Sequence, residues 1–168
     1  MVRKYVRIIA IDPDVEKSGV AELHVKTRNM NITKLSFPLL VDYLQNMKEM
    51  CINNMKEDVL VIVEAGWLNH SNWHLNYSDN KRIAAAKGNS TGRNHETGRK
   101  IVEMAKHIGF EVEEVKPLKK LWKGRDGKIT QEELENIIGP LNVRLSQDSR
   151  DAALLAWWYA GLPVKMRV

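Results

Sequence analysis

The chain has 168 residues, of which 43% are hydrophobic and 28% are charged, a composition typical of a globular protein with a single core. The net charge of +5 favours a polyanionic partner such as nucleic acid, and the single cysteine excludes an internal disulfide or a zinc site built from cysteines. No apolar run approaches the roughly 20 residues of a membrane span and no signal-peptide core is present, so we expect a cytoplasmic protein that binds no membrane, with one domain over residues 1–168.

The first third of the chain predicts three strands and a helix. An apolar run over residues 5–11 ends at Asp12, and residues 18–23 resume an alternating pattern after a polar turn, which favours a β-hairpin. A third strand is expected over residues 31–36, and Pro38 suits the first turn of a helix. The apolar stripe of this helix comprises Leu40, Leu44, Met47, Cys51 and Met55.

The strongest strand signal lies over residues 59–63, a continuous β-branched run typical of a strand buried on both faces. Like the first strand it ends in an acid, Glu64. If the two strands are parallel neighbours, Asp12 and Glu64 meet at one edge of a sheet. The alternative is that Asp12 only starts a turn with Pro13 and that Glu64 is only the first polar residue after the core.

Residues 65–88 form a long polar stretch in which aromatic and basic side chains alternate. Such a composition suits nucleic-acid contacts by stacking and phosphate pairing, here by Trp73 and Arg82. The alternative is a flap with a helical piece at residues 79–86. His70 and His74 have a spacing that could hold zinc, but no third ligand lies nearby in the sequence and no zinc site is expected.

A helix is predicted over residues 91–108, with Gly109 as its C-terminal stop and Arg93 on a face turned either to DNA or to solvent. A fifth strand follows over residues 110–115, and after it comes a basic segment, residues 116–125.

Residues 126–133 look like half of a calcium loop, but the first two ligand positions of that loop have no side-chain oxygen here. A helix that starts at Thr130, with Glu133 completing a capping box, explains the same residues better.

The last predicted helix runs from Ser146 to near Gly161 and carries Asp148 and Asp151 three residues apart, hence on one face of its first turn. Helix capping is the alternative role for these two acids, because carboxylates are favoured at helix N-termini. Carboxylates from two strand ends and one helix would repel each other unless cations neutralise them.

Three short motifs, Ile11-Asp12-Pro13, Val63-Glu64 and Asp148-Ser149-Arg150-Asp151-Ala152, resemble in order the acidic motifs of RuvC-like Holliday junction resolvases. These enzymes belong to the ribonuclease H-like (retroviral integrase) superfamily. The resemblance implies an α/β fold, a ribonuclease H-like five-stranded mixed sheet flanked by helices. It also implies a crossover junction endodeoxyribonuclease, a homodimer that hydrolyses phosphodiesters in four-way or branched DNA.

The same resemblance implies two Mg²⁺ ions, for which Mn²⁺ substitutes, held by catalytic carboxylates that we call the acidic quartet: Asp12, Glu64, Asp148 and Asp151. Carboxylate oxygens are the ligands that these cations prefer, and a pair of ions can clamp the attacking water and the leaving oxygen. Candidate DNA-binding residues are Lys116, Lys119, Lys120, Lys128, Arg82, Arg93 and Trp73.

The chain departs from the family at Asp14, where a glycine is usual, and this acid would crowd the first turn or add charge near the metals. Two other functions remain open: a ribonuclease H-like nuclease acting on RNA–DNA hybrids or flaps, and a non-catalytic junction-binding protein. A piece of an actin-like ATPase is excluded, because the chain is too short for two lobes and lacks Gly-rich phosphate loops.

Overall fold

The computed structural model describes residues 5–69 and 76–164, and a five-stranded sheet forms its centre. The strands in chain order are β1 (Arg7–Asp12), β2 (Ser18–His24), β3 (Met30–Leu35), β4 (Val59–Glu64) and β5 (Glu111–Val115). Their order in the sheet is β3-β2-β1-β4-β5; the first three strands form an antiparallel meander, and β4 and β5 run parallel to β1. Helices cover both faces, so the predicted α/β fold, a five-stranded mixed sheet flanked by helices, is confirmed.

Four α-helices flank this sheet within the described residues: α1 (Phe37–Met47), α2 (Lys81–Ile108), α3 (Gln131–Ile138) and α4 (Gln147–Tyr159). Helices α3 and α4 lie on one face, and α1 and α2 lie on the other. None of the helices in this part of the chain is both long enough and apolar enough to cross a bilayer.

The side chains of β1 alternate between two hydrophobic layers. Ile8 and Ala10 pack with residues of α3 and α4, whereas Ile9 and Ile11 pack with residues of α1 and α2. Because successive side chains of a strand point to opposite faces, Asp12 continues the row of Ile8 and Ala10. The strand therefore delivers its terminal carboxylate to the face covered by α4.

Helix α1 buries Leu40, Leu44 and Met47, as its apolar stripe predicts. The chain then continues as a π-helix over Lys48–Asn54, which buries Cys51. The prediction that the stripe reaches Met55 is wrong, because this side chain is 55% exposed. A π-helix has more residues per turn than an α-helix, so residues after it leave the α-helical face.

Helix α2 is ten residues longer at its N-terminus than the helix predicted from residue 91, since it begins at Lys81. The Asn80 side chain caps it by accepting a hydrogen bond from the backbone N–H of Ile83 at 2.9 Å. Its buried residues all lie in the C-terminal half, from Gly98 onward. The N-terminal half buries no residue, so hydrophobic periodicity could not reveal it. The helical piece offered as an alternative at residues 79–86 is the start of this helix, whereas the expected break before residue 91 is absent.

The two C-terminal helices begin where the sequence predicts. Thr130 and Glu133 form the expected capping box at the start of α3, and this explains the residues that resemble a calcium loop. The Ser146 hydroxyl accepts a hydrogen bond from the backbone N–H of Ser149 at the start of α4. Trp157 is buried against the sheet, whereas Trp158 is 48% exposed.

Candidate functional site

Two carboxylates stand side by side where the parallel central strands end. Ile11 of β1 pairs with Val63 of β4, so the next residues, Asp12 and Glu64, lie at the same edge of the sheet. On β4, as on β1, the even-numbered residues pack with α4. Both carboxylates therefore face the α4 side of the sheet.

A glycine brings the N-terminus of α4 onto this edge. Gly19 of β2 is the cross-strand partner of Asp12, and a Cβ atom at this position would lie far inside van der Waals contact with the backbone carbonyl of Asp148. The missing side chain thus lets the first turn of α4 rest directly on β2. Asp148 and, one helical turn later, Asp151 are held over the end of β1 in this way.

The acidic quartet lines a single cleft of about 300 Å³. Lys119, Lys120 and Lys128 line the same cleft, so negative charges at its floor are joined by positive charges at its rim. The opposite wall comes from the chain after β4 and from the middle of α2, and its side chains include Trp67, Asn69, Ser90, Thr91, Asn94 and His95. The cleft therefore combines oxygen donors for a cation with cationic and amide groups suited to a phosphate.

The electrostatics of the cleft disfavour the simultaneous ionisation of its carboxyl groups. Burial raises the pKa of Asp12 well above its ordinary value, and the charges of Glu64, Asp151 and Asp148 raise it further, against the opposing effect of Lys128. Burial and the Asp151 charge raise the pKa of Glu64 to about 7, and burial raises the pKa of Asp151. A group of carboxylates in this state gains stability from either protons or a bound cation.

The quartet fits a hard divalent cation in donor chemistry and in position, because all four groups supply oxygens to one cleft. As the side chains stand, however, no group of three or more Asp, Glu, His or Cys residues in the described parts of the chain is arranged to hold a metal ion. Two of the acids are engaged elsewhere: Asp148 with Lys34 at 2.8 Å and Asp151 with the Gln147 amide, also at 2.8 Å. A cation bound in the cleft would compete with these two partners for the carboxylate oxygens.

The predicted DNA-binding residues divide into three groups. Lys119, Lys120 and Lys128 line the cleft, and the Lys128 ammonium lies 4.0 Å from the carboxylate of Asp151. Three further basic residues are exposed but do not line it: Lys116 after β5, and Arg82 and Arg93 on α2. Trp73, like the histidines His70 and His74, lies outside the described residues.

The unusual Asp14 is accommodated by the turn between β1 and β2. Its carboxylate accepts backbone hydrogen bonds from Glu16 at 2.9 Å and from Lys17 at 3.3 Å, and its own N–H donates to the Ser18 hydroxyl. Although Asp14 lines the cleft, it therefore serves as a turn cap rather than crowding the turn.

Several residues that contact the acidic quartet or line the cleft carry no sequence signal of their own. Lys34 and Gln147 were missed because only the fold brings them to Asp148 and Asp151. The α2 residues of the opposite wall were missed as well, although Thr91, Asn94 and His95 lie inside the helix predicted from residue 91. The sole indication in the sequence is the cluster of aromatic, amide and hydroxyl side chains after Glu64.

The α2 wall is fixed to the sheet edge through Trp67. Its indole N–H donates to the Glu114 carboxylate at 2.8 Å, and the Arg99 guanidinium lies 5.6 Å from the ring centre. Gly98 of α2 lies against the same ring, where a Cβ atom would overlap with it. This close approach sets the distance between α2 and the segment that follows β4.

Replacing Gly98 by alanine is expected to destabilise the protein by about 1–3 kcal/mol, because the added methyl group overpacks the contact with Trp67. Urea unfolding measures the change. Gly88→Ala in the same helix is the matched control: open space surrounds that position, and alanine there is expected to stabilise by up to about 1 kcal/mol. Equal stability of the two variants would contradict the packing argument.

No protein-family model and no curated protein sequence matches the chain. Among solved structures it is similar to T. thermophilus RuvC in complex with Holliday junction substrate, with a TM-score of 0.45 and 14% sequence identity. The alignment covers 90% of this chain and 90% of that chain.

Proposed function

We propose that the protein is a metal-dependent endonuclease that hydrolyses phosphodiester bonds in branched DNA, with the four-way junction as its substrate. The observation that carries the proposal is the arrangement of the cleft: carboxylates from β1, β4 and α4 share one floor, and three lysines stand at the rim. The order of the acidic motifs, which resembles that of RuvC-like resolvases, supports the junction as the substrate.

The acidic quartet is proposed to hold two Mg²⁺ ions, with Mn²⁺ as a substitute. Divalent cations bound there would polarise the scissile phosphate and lower the pKa of the attacking water. Asp12 is proposed to take the central role, as the resemblance to RuvC-like resolvases implies; its pKa is raised well above the ordinary value by burial and by the charges of the other acids. Glu64 lies beside it at the end of β4, and α4 adds the remaining two carboxylates from above the sheet.

The lysines of the cleft are proposed to bind the phosphate that is cut. Water attacks the phosphorus, the bond to the 3′ oxygen breaks, and that oxygen leaves with a proton, so the products are a 5′-phosphate and a 3′-hydroxyl. Lys119, Lys120 and Lys128 would neutralise charge that builds on the phosphate oxygens. Lys116, Arg82 and Arg93 are proposed to bind flanking phosphates, at a cost to affinity that grows with salt concentration.

A four-way junction is cut in two strands, so we propose a symmetric homodimer with one cleft per subunit. Light scattering of the free protein and of its junction complex measures the number of subunits. A single subunit in the active complex would contradict this part of the proposal.

A panel of substrates at one salt concentration tests the specificity. The panel comprises a four-way junction, a flap, a linear duplex and an RNA–DNA hybrid, each with magnesium. Preferential cutting of the junction is the expected result. Preference for the hybrid or the flap would identify another nuclease of this fold, and binding without any cutting would identify a junction-binding protein without catalytic activity.

Magnesium is expected to raise the thermal unfolding midpoint more at about pH 8 than at about pH 5.5. The pKa of Glu64 is raised from 4.5 to about 7 in the folded protein, so the folded state holds a proton that the unfolded chain releases. This stabilisation is complete below the unfolded pKa and is lost as the pH rises through about 7. Above that pH a bound cation can neutralise the Glu64 carboxylate in place of the proton.

Glu64→Gln serves as the control for this linkage. Without magnesium the variant should exceed the wild type in stability at about pH 8, and it should gain less from added magnesium. Thermal unfolding followed by circular dichroism measures both effects. A magnesium shift that is equal at the two pH values in the wild type would contradict the linkage.

A further inference from the structure

Lys34 belongs to a row of three residues that crosses the sheet beside the cleft. It pairs with Gly19 of β2, which in turn pairs with Asp12 of β1. Directly opposed residues of neighbouring strands point to the same face, and Met30 and Ile32 of β3 pack on the α4 side. Lys34 therefore projects to the side of the sheet on which Asp12 and α4 lie.

Because Gly19 has no side chain, space remains between Lys34 and Asp12, and the first turn of α4 fills this space. Asp148 thus lies between a lysine on one side and the central carboxylate of the cleft on the other. Its carboxylate pairs with the Lys34 ammonium at 2.8 Å. The side chains of the pair are 36% and 26% exposed, so the contact can open to solvent without disturbing the core.

We propose that Lys34 competes with divalent cations for Asp148 and thereby sets the metal affinity of the cleft. The inference rests on the proposed function, because it takes the acidic quartet as the metal site. Without metal, the ammonium group holds Asp148 and offsets part of the repulsion among the acids. When a cation binds, Asp148 leaves Lys34, and the affinity of the site is reduced by the free energy of the broken ion pair.

Lys34 differs in this respect from the lysines of the basic segment. Lys119, Lys120 and Lys128 line the cleft, whereas Lys34 is not among the described residues that line it. Its contact with the site passes through the Asp148 carboxylate. Lys34 is therefore a positioning residue, and its removal should change metal affinity in the absence of any DNA.

Titration calorimetry with Mn²⁺, and separately with Mg²⁺, on DNA-free protein tests the proposal. Lys34→Met removes the charge and keeps the length of the side chain. It is expected to tighten cation binding by about two- to fivefold, the range that corresponds to an ion pair between partly exposed groups. Lys34→Arg retains the charge and should bind the cations with wild-type affinity.

A double-mutant cycle localises the effect. In an Asp148→Asn background, Lys34→Met should no longer tighten binding, because the competing pair is already lost. Lys100→Met is the matched control, since Lys100 pairs with Glu103 at the same distance of 2.8 Å on an exposed face of α2. This variant should leave cation affinity unchanged.

The outcomes separate the inference from the function on which it rests. Unchanged or weaker cation binding by Lys34→Met, or an effect that persists in the Asp148→Asn background, would overturn the role of Lys34 alone. A wild-type protein that binds neither cation would overturn the metal site and the inference with it. Thermal unfolding without metal checks that each variant is folded, and Lys34→Gln takes the place of the methionine variant if that one is not.

Discussion

Asp12→Asn is expected to reduce junction cleavage by at least about 10²–10³-fold, the loss typical of removing a group that stabilises transition-state charge. Asp12 lies at the end of the central strand β1, and burial together with the charges of the other three acids raises its pKa well above the ordinary value. Asparagine keeps the shape of the side chain but not the anionic oxygen that a divalent cation needs. DNA binding should remain measurable, because the lysines of the cleft rim are unchanged.

The same variant should not be less stable than the wild type near neutral pH without metal. Burial and like charges raise the pKa of Asp12, so its ionised form is the unfavourable one in the folded protein. Thermal stability equal to or above that of the wild type would show that a loss of cleavage by Asp12→Asn does not come from unfolding. Single-turnover cleavage of a labelled junction, together with thermal unfolding, measures both properties.

Asp14→Asn is the matched control, because it makes the same chemical change two residues away on the same cleft. The Asp14 carboxylate accepts hydrogen bonds within the turn, and an asparagine oxygen can accept them as well. Cleavage by this variant should stay within a few-fold of the wild-type rate. Wild-type cleavage rates in both variants would remove Asp12 from the proposed site.

Gly19→Ala is expected to destabilise the protein by about 3 kcal/mol or more. The added methyl group would collide with the backbone of Asp148 and Ser149, and a helix backbone cannot move aside as a flexible side chain can. If the protein still folds, the start of α4 must shift away from β2. That shift would carry Asp148 and Asp151 away from the sheet edge and weaken cation binding.

Urea unfolding and cation titration of Gly19→Ala measure the two consequences. Gly92→Ala is the control, since nothing lies within 4 Å of the Cβ position there and alanine favours the helix by up to about 1 kcal/mol. Unaltered stability and unaltered cation affinity in Gly19→Ala would show that α4 is not seated on β2 as described.

The architecture of the sheet could be predicted because its signals are local. Each of the two central strands is a short apolar run that ends in a carboxylate, and the acidic motifs follow in a characteristic order. Both runs are continuously apolar, so the face to which Asp12 and Glu64 point was not visible in the sequence. Their meeting at one edge of the sheet could be argued from the two parallel strands, and their catalytic role stays a prediction.

Contacts that depend on pairing between distant segments could not be predicted. The ion pair between Lys34 and Asp148 depends on the register of β3 on β2 and on the packing of the first turn of α4 against Gly19. Nothing near Lys34 in the sequence distinguishes it from an ordinary surface lysine on an edge strand. The N-terminal half of α2 escaped for a different reason, since a helix that buries no face has no hydrophobic period.

The alternating rows of β1 and β4 also determine how this chain can vary. Substitutions at residues 8–11 must conserve volume and hydrophobicity, whereas the insertion or deletion of one residue would turn every following side chain of the strand to the opposite face of the sheet. Asp12 would then be directed into the layer of α1 and α2, away from Glu64. Tolerance to length changes should therefore be lowest in these two strands, although neither contributes more than one chemical group to the cleft floor.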